Sequence, residues 1–356
     1  MNDFPVSLNP VLYAENAYLK LNEFLRKEEP SKIFILVDSN THSCCLSKFL
    51  QNLEKDIVTE VIEIEAGEEF KNLQTCEGVW NVLSELGADR KSLMINLGGG
   101  VVTDLGGFVA STFKRGIPFI NVPTTLLAMV DASVGGKTGV DLGNLKNQIG
   151  VIIQPEMVLI DSAFLQTLSS KEMRSGLAEI LKHGLIANEE YWNKVTDLAN
   201  LDLSDLDEII RESVDIKAKV VKEDPYEKNL RKTLNYGHTL GHAIESFCLT
   251  SPNRSKLLHG EAIAAGMILE TFLSTELEGF PQRKLEQVSK VITDLYGKEE
   301  FNSDEISEIK NLLKFDKKNE KGNVNFVLLK DIAKPVIDII VPDQLLDKAF
   351  DFYSNN

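Results

Sequence analysis

Over residues 33–122 short branched apolar runs alternate with helix-compatible segments, and no other feature restricts the possible folds of this chain as strongly. Residues 33–37 form an apolar run ending in Asp38-Ser39-Asn40, the pattern of a strand covered on both faces that stops at a functional loop. A polar, helix-compatible stretch follows to about residue 56, and residues 58–64 then alternate like a strand. Residues 72–86 have helical spacing, while 92–97, 118–122 and 157–161 read as further strands. The expectation is an α/β unit built on a mostly parallel, doubly wound sheet.

Between two of these strands lies Gly98-Gly99-Gly100-Val101-Val102-Thr103-Asp104. Glycines after a strand and before a helix let the backbone approach a pyrophosphate, whose charge the helix N-terminus stabilises. The spacing is not that of the usual dinucleotide fingerprint, and a tight turn needs glycine for conformational reasons alone. Asp104 suits either ribose binding or the first turn of a helix. Pro123-Thr124-Thr125 then leads into a helix bearing Asp131, followed by Gly135-Gly136-Lys137-Thr138-Gly139 and Lys146-Asn147. A P-loop is excluded, because Asp131 stands where its first glycine would be. A phosphate or carboxylate reader made of lysines and glycine amides fits, and so does a glycine-rich turn with solvated lysines.

At 356 residues the chain exceeds what one core usually supports. Strands nearly vanish after Asp161, so two domains are expected, 1–161 and 162–356. The formal net charge of −16 and the lack of a basic stripe argue against nucleic acid as a partner. Cys44, Cys45, Cys76 and Cys248 have neither metal spacing nor the density of a disulfide scaffold. No apolar run reaches the length of a membrane span, and the first residues lack a basic segment followed by an apolar one. A cytoplasmic enzyme without membrane attachment is the expectation.

The second half reads as helices. In residues 174–184, Glu179, Lys182 and His183 share one helical face, as a ligand set would or as an exposed ion pair would. Lys217, Asp224, Glu227 and Arg231 precede residues 234–261, which hold three of the five histidines. His238 and His242 stand four apart on a helical face, and His259 follows, so all three are ligand candidates by spacing. An open catalytic zinc site takes three protein ligands. The tail adds Lys314-Phe315-Asp316-Lys317-Lys318, a strand-like 324–329 and a last helix from Asp343.

Taken in order, the blocks GGGVVTDLGGFVAS, KRGIPFINVPTTLLAMVDASVGGKTGVD, KN, RSGLAEILKHG, LNYGHTLGHAIE, HGE and DKK resemble those of the 3-dehydroquinate synthase family of sugar phosphate cyclases, over about residues 37–329. The resemblance implies an α/β nucleotide-binding domain that holds NAD, then an all-α domain that binds substrate and a divalent metal, Zn2+ or Co2+. It implies Glu179, His238 and His259 as metal ligands, with His242 an active-site histidine off the metal. It implies substrate contacts from Asp131, Lys137, Lys146, Asn147, Lys182, Lys217, Arg231 and Asn235, and nucleotide contacts from Asp38, Asn40, Glu68, Lys71, Gly99, Gly100, Val101, Asp104, Thr124 and Thr125. Arg115 matches an arginine that reaches the substrate phosphate from a neighbouring subunit, which implies a homodimer, and Lys318 matches a distal substrate contact.

The reaction implied converts 3-deoxy-D-arabino-heptulosonate 7-phosphate into 3-dehydroquinate and phosphate. It runs by transient oxidation at C5 with NAD, phosphate elimination, re-reduction, ring opening and intramolecular aldol closure. Alternatives are another cyclase such as 2-deoxy-scyllo-inosose synthase, against which Lys217, Asn235 and His242 speak, and a metal-dependent polyol dehydrogenase. The chain departs from the family in a longer loop over 249–256 and in Asp224-Pro225-Tyr226-Glu227-Lys228-Asn229, where Asn229 is expected to adopt a left-handed turn.

Overall fold

Ile33, Phe34, Ile35, Leu36 and Val37 are each fully buried, which a strand achieves only inside a sheet covered on both faces. The computed structural model describes residues 9–54, 57–143, 145–197, 203–313 and 324–355. They divide into two compact units, Met1–Ser169 and Ser170–Asn356.

The first unit contains β1 (Val11–Tyr13), β2 (Ile33–Asp38), β3 (Thr59–Ile64), β4 (Leu93–Gly98), β5 (Phe119–Pro123), β6 (Lys137–Leu142), β7 (Leu145–Ile152) and β8 (Val158–Ile160). Six of them form one sheet in the order β1-β8-β5-β4-β2-β3, with every pairing parallel. The strand order reverses at β2: β3 lies on one side of it and β4 on the other. In open α/β sheets that reversal, at the carboxyl ends of the strands, is where ligands bind.

Helix Gly100–Thr112 follows β4 directly and lies close on the sheet. A Cβ on Gly106 would fall 2.0 Å from Oδ1 of Asn96, so any side chain there would push the helix away. Asn96 in turn donates from Nδ2 to Oδ1 of Asn121 on β5 at 2.9 Å, which joins two buried amides within the sheet.

The lysine- and glycine-rich stretch, which the sequence leaves open as an anion reader or a glycine-rich turn, leads into an antiparallel hairpin of β6 and β7. Gly135 and Gly136 turn the chain at φ +107° and +70°, and Lys137 begins β6. Gly139 and Gly150 pair across the hairpin, where a Cβ on either would lie 2.4 or 2.3 Å from a carbonyl oxygen of the other strand. Glycines that permit close backbone approach hide a strand from propensity, because nothing branched or aromatic marks it.

The second unit is helical, as expected, and its described residues also form an antiparallel hairpin of β9 (Asn325–Asp331), where a strand-like run is expected at 324–329, and β10 (Lys334–Ile340). Helix His259–Glu278 is buried around most of its circumference, as a central helix must be. Helix His238–Thr250 packs against it through glycine. A Cβ on Gly266 would come 2.0 Å from the carbonyl oxygen of Gly237. No helix among the described residues is long and apolar enough to cross a membrane.

Candidate functional site

In the second unit the candidate residues converge from three helices. Glu179 and Lys182 sit one turn apart on helix Ser170–Ala187, and their side chains are 0% and 1% exposed. Their carboxylate and ammonium form an ion pair, so this face is interior and not solvated. His183 pairs its Nδ1 with the Ser213 hydroxyl at 2.6 Å on helix Leu203–Glu223, and a ring nitrogen of it lies within 4.8 Å of a Glu179 carboxylate oxygen.

His238 is the first residue of its helix, preceded by Gly237 at φ +78°. Its Nδ1 meets the carbonyl oxygen of Tyr236 at 3.1 Å, and its Nε2 lies 3.3 Å from Oε1 of Glu179. His259 likewise begins a helix. Its Nδ1 lies 3.3 Å from Oε2 of Glu245, and its Nε2 is 3.6 Å from the same Glu179 oxygen. Two imidazoles thus turn Nε2 toward one carboxylate while an acceptor engages each Nδ1. This is the outer arrangement that metal-binding histidines use to fix their tautomer. Neither carboxylate oxygen of Glu179 has a hydrogen bond of proper geometry, although both are buried.

His242, one turn along from His238, completes a cluster in which ligand atoms of His238, His242 and His259 lie within 4.8 Å of one another. Convergence does not by itself separate His242 from the other two. What distinguishes Glu179 is its place facing both Nε2 atoms.

The local field is strong. Burial works to raise the Glu179 pKa, but the Lys182 and His238 charges hold it well below the usual carboxylate value. Burial and the Lys182 charge lower His238 to about 4, against the pull of Glu179. Burial opposes protonation of His259 too, yet the Glu245 and Glu179 carboxylates raise it to about 9.

A loop anchored on the buried Asp224 carries further candidates of this unit. Asp224 accepts backbone N–H groups from Lys228, Asn229 and Arg231 at 3.0, 2.6 and 3.0 Å. Arg231 is 2% exposed and donates from Nη1 to the Pro225 carbonyl at 2.8 Å. Asn235 donates from its Nδ2 to Glu227 Oε1 at 2.7 Å. The left-handed turn expected at Asn229 is not there: its φ is −141°, and the positive φ, +57°, falls on Glu227. The Asp224 carboxylate fixes the N–H of Asn229 and so moves the reversal two residues earlier. Lys217 is buried on helix Leu203–Glu223.

In the first unit, Asp38 ends β2 and Gly98 ends β4, the two strands that flank the reversal of strand order. Gly99 caps the following helix, whose first turn, including Gly100 and Val101, holds no acid to offset its positive end. A Cβ on Gly99 would crowd the Thr125 methyl at 3.0 Å, so the turn stays open only with glycine. Asp38 accepts the Thr41 N–H at 2.7 Å and thereby starts a helical turn, on which Asn40 is exposed.

Lys71 joins two sets of candidates that the sequence keeps apart. Its Nζ is 2.7 Å from Asp104 Oδ2 and 2.7 Å from Asn147 Oδ1, and 4.0 Å from Glu68. Burial disfavours the ammonium, but Asp104 and Glu68 more than offset this and hold its pKa above the usual lysine value. Asp104 therefore lies beyond the first turn of its helix and is engaged with a lysine. Lys146 lies 3.4 Å from Glu68, and Asn147 adopts φ +52° with its N–H on Asp141 at 2.6 Å.

Thr124 is buried and Thr125 caps the turn Ala128–Ala132 that carries Asp131. Lys137 is exposed at the start of β6, and Arg115 is exposed in a turn where it and Lys114 have φ +71° and +49°. Lys318 lies outside the described residues.

Glu245 and Glu270 escaped the sequence reading. Glu270, fully buried, accepts the N–H groups of Gly237 at 2.7 Å and Leu240 at 3.1 Å, and so anchors the helix start that bears His238. No spacing rule links residues on different helices, so only tertiary packing reveals them.

Comparison with known proteins gives a consistent result. A family model described as 3-dehydroquinate synthase N-terminal matches residues 61–175, and one described as 3-dehydroquinate synthase C-terminal matches residues 176–319. The chain is 41% identical to a 3-dehydroquinate synthase of Parabacteroides distasonis over 350 residues, covering 98% of each chain. It is 38% identical to that of Thermoanaerobacter pseudethanolicus, covering 95% of each. Among solved structures, 2-deoxy-scyllo-inosose synthase complexed with carbaglucose-6-phosphate, NAD+ and Co2+ superposes with a TM-score of 0.86 at 25% identity, covering 98% of each chain.

Proposed function

The chain belongs to the 3-dehydroquinate synthase family, and we propose that its two groups of candidate residues divide that family's chemistry between them. The activity is that of a 3-dehydroquinate synthase, a phosphate-eliminating lyase of the shikimate pathway.

Glu179, His238 and His259 fit a divalent cation. They offer one carboxylate oxygen and two Nε2 atoms, the mixed set that suits Zn2+ or Co2+ with a coordination position open. The 2-deoxy-scyllo-inosose synthase structure carries Co2+ and NAD+, in keeping with this reading. Asp38, Asn40, Glu68, Lys71, Gly99, Gly100, Val101, Asp104, Thr124 and Thr125 would hold NAD, in keeping with the glycine turn at the reversal of strand order. When bound, the cation supplies a Lewis acid for a hydroxyl, and NAD supplies a hydride acceptor that is restored within one turnover.

The chain's own residues bind and orient the substrate. A substrate with a carboxylate at one end and a phosphate at the other requires concentrated cations in a protein of net charge −16. Lys182, Lys217 and Arg231 supply them from buried positions in the second unit, and in the first unit Asp131, Lys137, Lys146 and Asn147 are the residues that the family resemblance assigns to substrate. A buried guanidinium or ammonium loses little further hydration when it meets an anion, so it orients the substrate firmly. Glu227 holds the Asn235 amide nitrogen, and the Asn235 oxygen would accept from a substrate hydroxyl. His242, one turn along from His238 in the same cluster, serves substrate proton transfer. The departing phosphate can itself take the C6 proton, so the chain need not supply a separate base there.

Arg115, in its exposed turn, would reach the active site of a second copy, which makes the working form a homodimer. The four cysteines are all free thiols, in keeping with a reducing, cytoplasmic setting. The observation that carries the reading is the turning of both Nε2 atoms to Glu179 beside buried Lys182.

The test is incubation with NAD, Zn2+ and 3-deoxy-D-arabino-heptulosonate 7-phosphate. Release of inorganic phosphate without net NADH is expected, and steady NADH accumulation would instead indicate a dehydrogenase. Glucose 6-phosphate, tested in parallel, is expected to release none.

A further inference from the structure

Glu245 belongs to none of the residue groups assigned above. It lies seven residues after His238 on helix His238–Thr250, so His238, His242 and Glu245 share one face of that helix. Its side chain is 6% exposed, and a carboxylate is taken so far out of water only where charged or hydrogen-bonding groups compensate. The group it meets is Nδ1 of His259, at 3.3 Å, across the loop that joins the two helices.

The two proposed histidine ligands are supported differently. His238 has its Nδ1 against the carbonyl oxygen of Tyr236, two residues away and locked into the helix start. Its side chain is 10% exposed, whereas that of His259 is 26% exposed. His259 also follows directly on the loop, at the first position of its helix. An imidazole at a helix start can swing about χ1 and χ2, and each wrong orientation takes Nε2 away from Glu179. A carboxylate on Nδ1 stops that motion. It also selects the tautomer with the proton on Nδ1 and the lone pair on Nε2, and it makes that lone pair a stronger donor.

We propose that Glu245 is the positioning residue of the metal centre: it holds His259 so that Nε2 is presented to a divalent cation, without touching the ion itself. The inference rests on the reading of Glu179, His238 and His259 as ligands. It adds that cation affinity depends on a fourth residue, on the far side of one imidazole.

The test measures Zn2+ affinity of the metal-free parent, Glu245→Gln and Glu245→Ala by competition with a chromophoric chelator. The visible absorption of the Co2+ forms, NAD affinity and thermal melting of the metal-free proteins are recorded beside it. Glu245→Ala is expected to weaken Zn2+ binding roughly 10- to 100-fold and to shift the Co2+ bands, as loss of an outer-shell partner does. Glu245→Gln keeps an acceptor oxygen and is expected to recover part of that affinity. NAD affinity is expected to stay at the parent value in both. If Glu245→Ala binds Zn2+ as the parent does, the proposal is wrong. Should Glu245→Ala fail to fold, Glu245→Gln decides: weaker Zn2+ binding with parent-like melting supports the proposal, and parent-like Zn2+ binding overturns it. A parent that binds no Zn2+ overturns the ligand assignment and this proposal together.

Discussion

His238 and His259 stand with ring centroids 5.4 Å apart and turn their Nε2 atoms to the same oxygen of Glu179. That oxygen is buried, and the two imidazoles come from the starts of different helices, so removing its charge should disable the centre while leaving its shape. Glu179→Gln is expected to reduce Zn2+ affinity by more than the roughly 10- to 100-fold typical of outer-shell changes. Elemental analysis after dialysis checks this, and a metal content equal to that of the parent would refute the ligand assignment.

Chelation should act through the second unit. A ligand that binds only the folded form stabilises by about 2.7 kcal/mol at a hundred times its Kd. Treatment with EDTA is expected to lower the melting temperature, and added Zn2+ to restore it in the parent but not in Glu179→Gln. A melting curve indifferent to both reagents would count against a bound metal.

The distance between the helices that bear the proposed ligands His238 and His259 is set at Gly266, whose added Cβ would lie 2.0 Å from the Gly237 carbonyl oxygen and 2.7 Å from the Gly241 nitrogen. Those are backbone atoms, which cannot rotate aside as a side chain can. Gly266→Ala is expected to cost about 1–3 kcal/mol or more, as overpacking does. Denaturant unfolding measures the cost, and weakened Zn2+ binding should accompany it because Gly237 precedes His238.

Lys71 bridges Asp104 and Asn147 at 2.7 Å each, so it organises the proposed nucleotide site from within. Lys71→Met should weaken NAD binding by roughly 10- to 100-fold, the loss of about 1.5–3 kcal/mol expected for hydrogen bonds to a charged group. Zn2+ affinity should be unchanged. Titration calorimetry with each ligand separates the two, and equal NAD affinity would remove Lys71 from the site.

Asp224 supplies a pH dependence of known sign. Burial works to raise its pKa, but three backbone N–H groups and the Arg231 charge lower it overall. A carboxyl group depressed in the folded state stabilises fully above its unfolded pKa, about 3.9, and loses that contribution as pH falls through its folded value. Asp224→Asn is expected to be less stable near neutrality by about 1–2 kcal/mol, and the gap should narrow below pH ~4. Urea unfolding across that range tests it, and a gap independent of pH would show that the charge is not what matters.

The elements that the sequence makes legible are those that announce themselves by period. Ile33–Val37 is a branched run with no polar residue, and β2 forms there because only a doubly covered strand can bury all five. The helix expected over 72–86 forms over Leu73–Glu85, and the Asn72 side chain caps it by accepting the Thr75 N–H. By contrast, β6 and β7 were invisible, because Gly139 and Gly150 enable a close approach between backbones and leave no side-chain pattern. Asn229 looked suited to a left-handed turn by residue type, yet Asp224 placed the reversal at Glu227 through hydrogen bonds that propensity does not contain.

Local order along the chain therefore determined the parallel α/β unit, the helical unit after it, the glycine turn behind β4 and the family to which the chain belongs. These follow from hydrophobic period and residue type, which act between near neighbours. Only the tertiary structure decided that Glu179 and Lys182 are interior, that Lys71 joins Asp104 to Asn147, and that Glu245 and Glu270 stand behind His259 and His238. Those relations depend on burial and on contacts across helices. A carboxylate acquires its partners, its charge state and its use only when folding removes it from water and places it beside a group far away in the sequence.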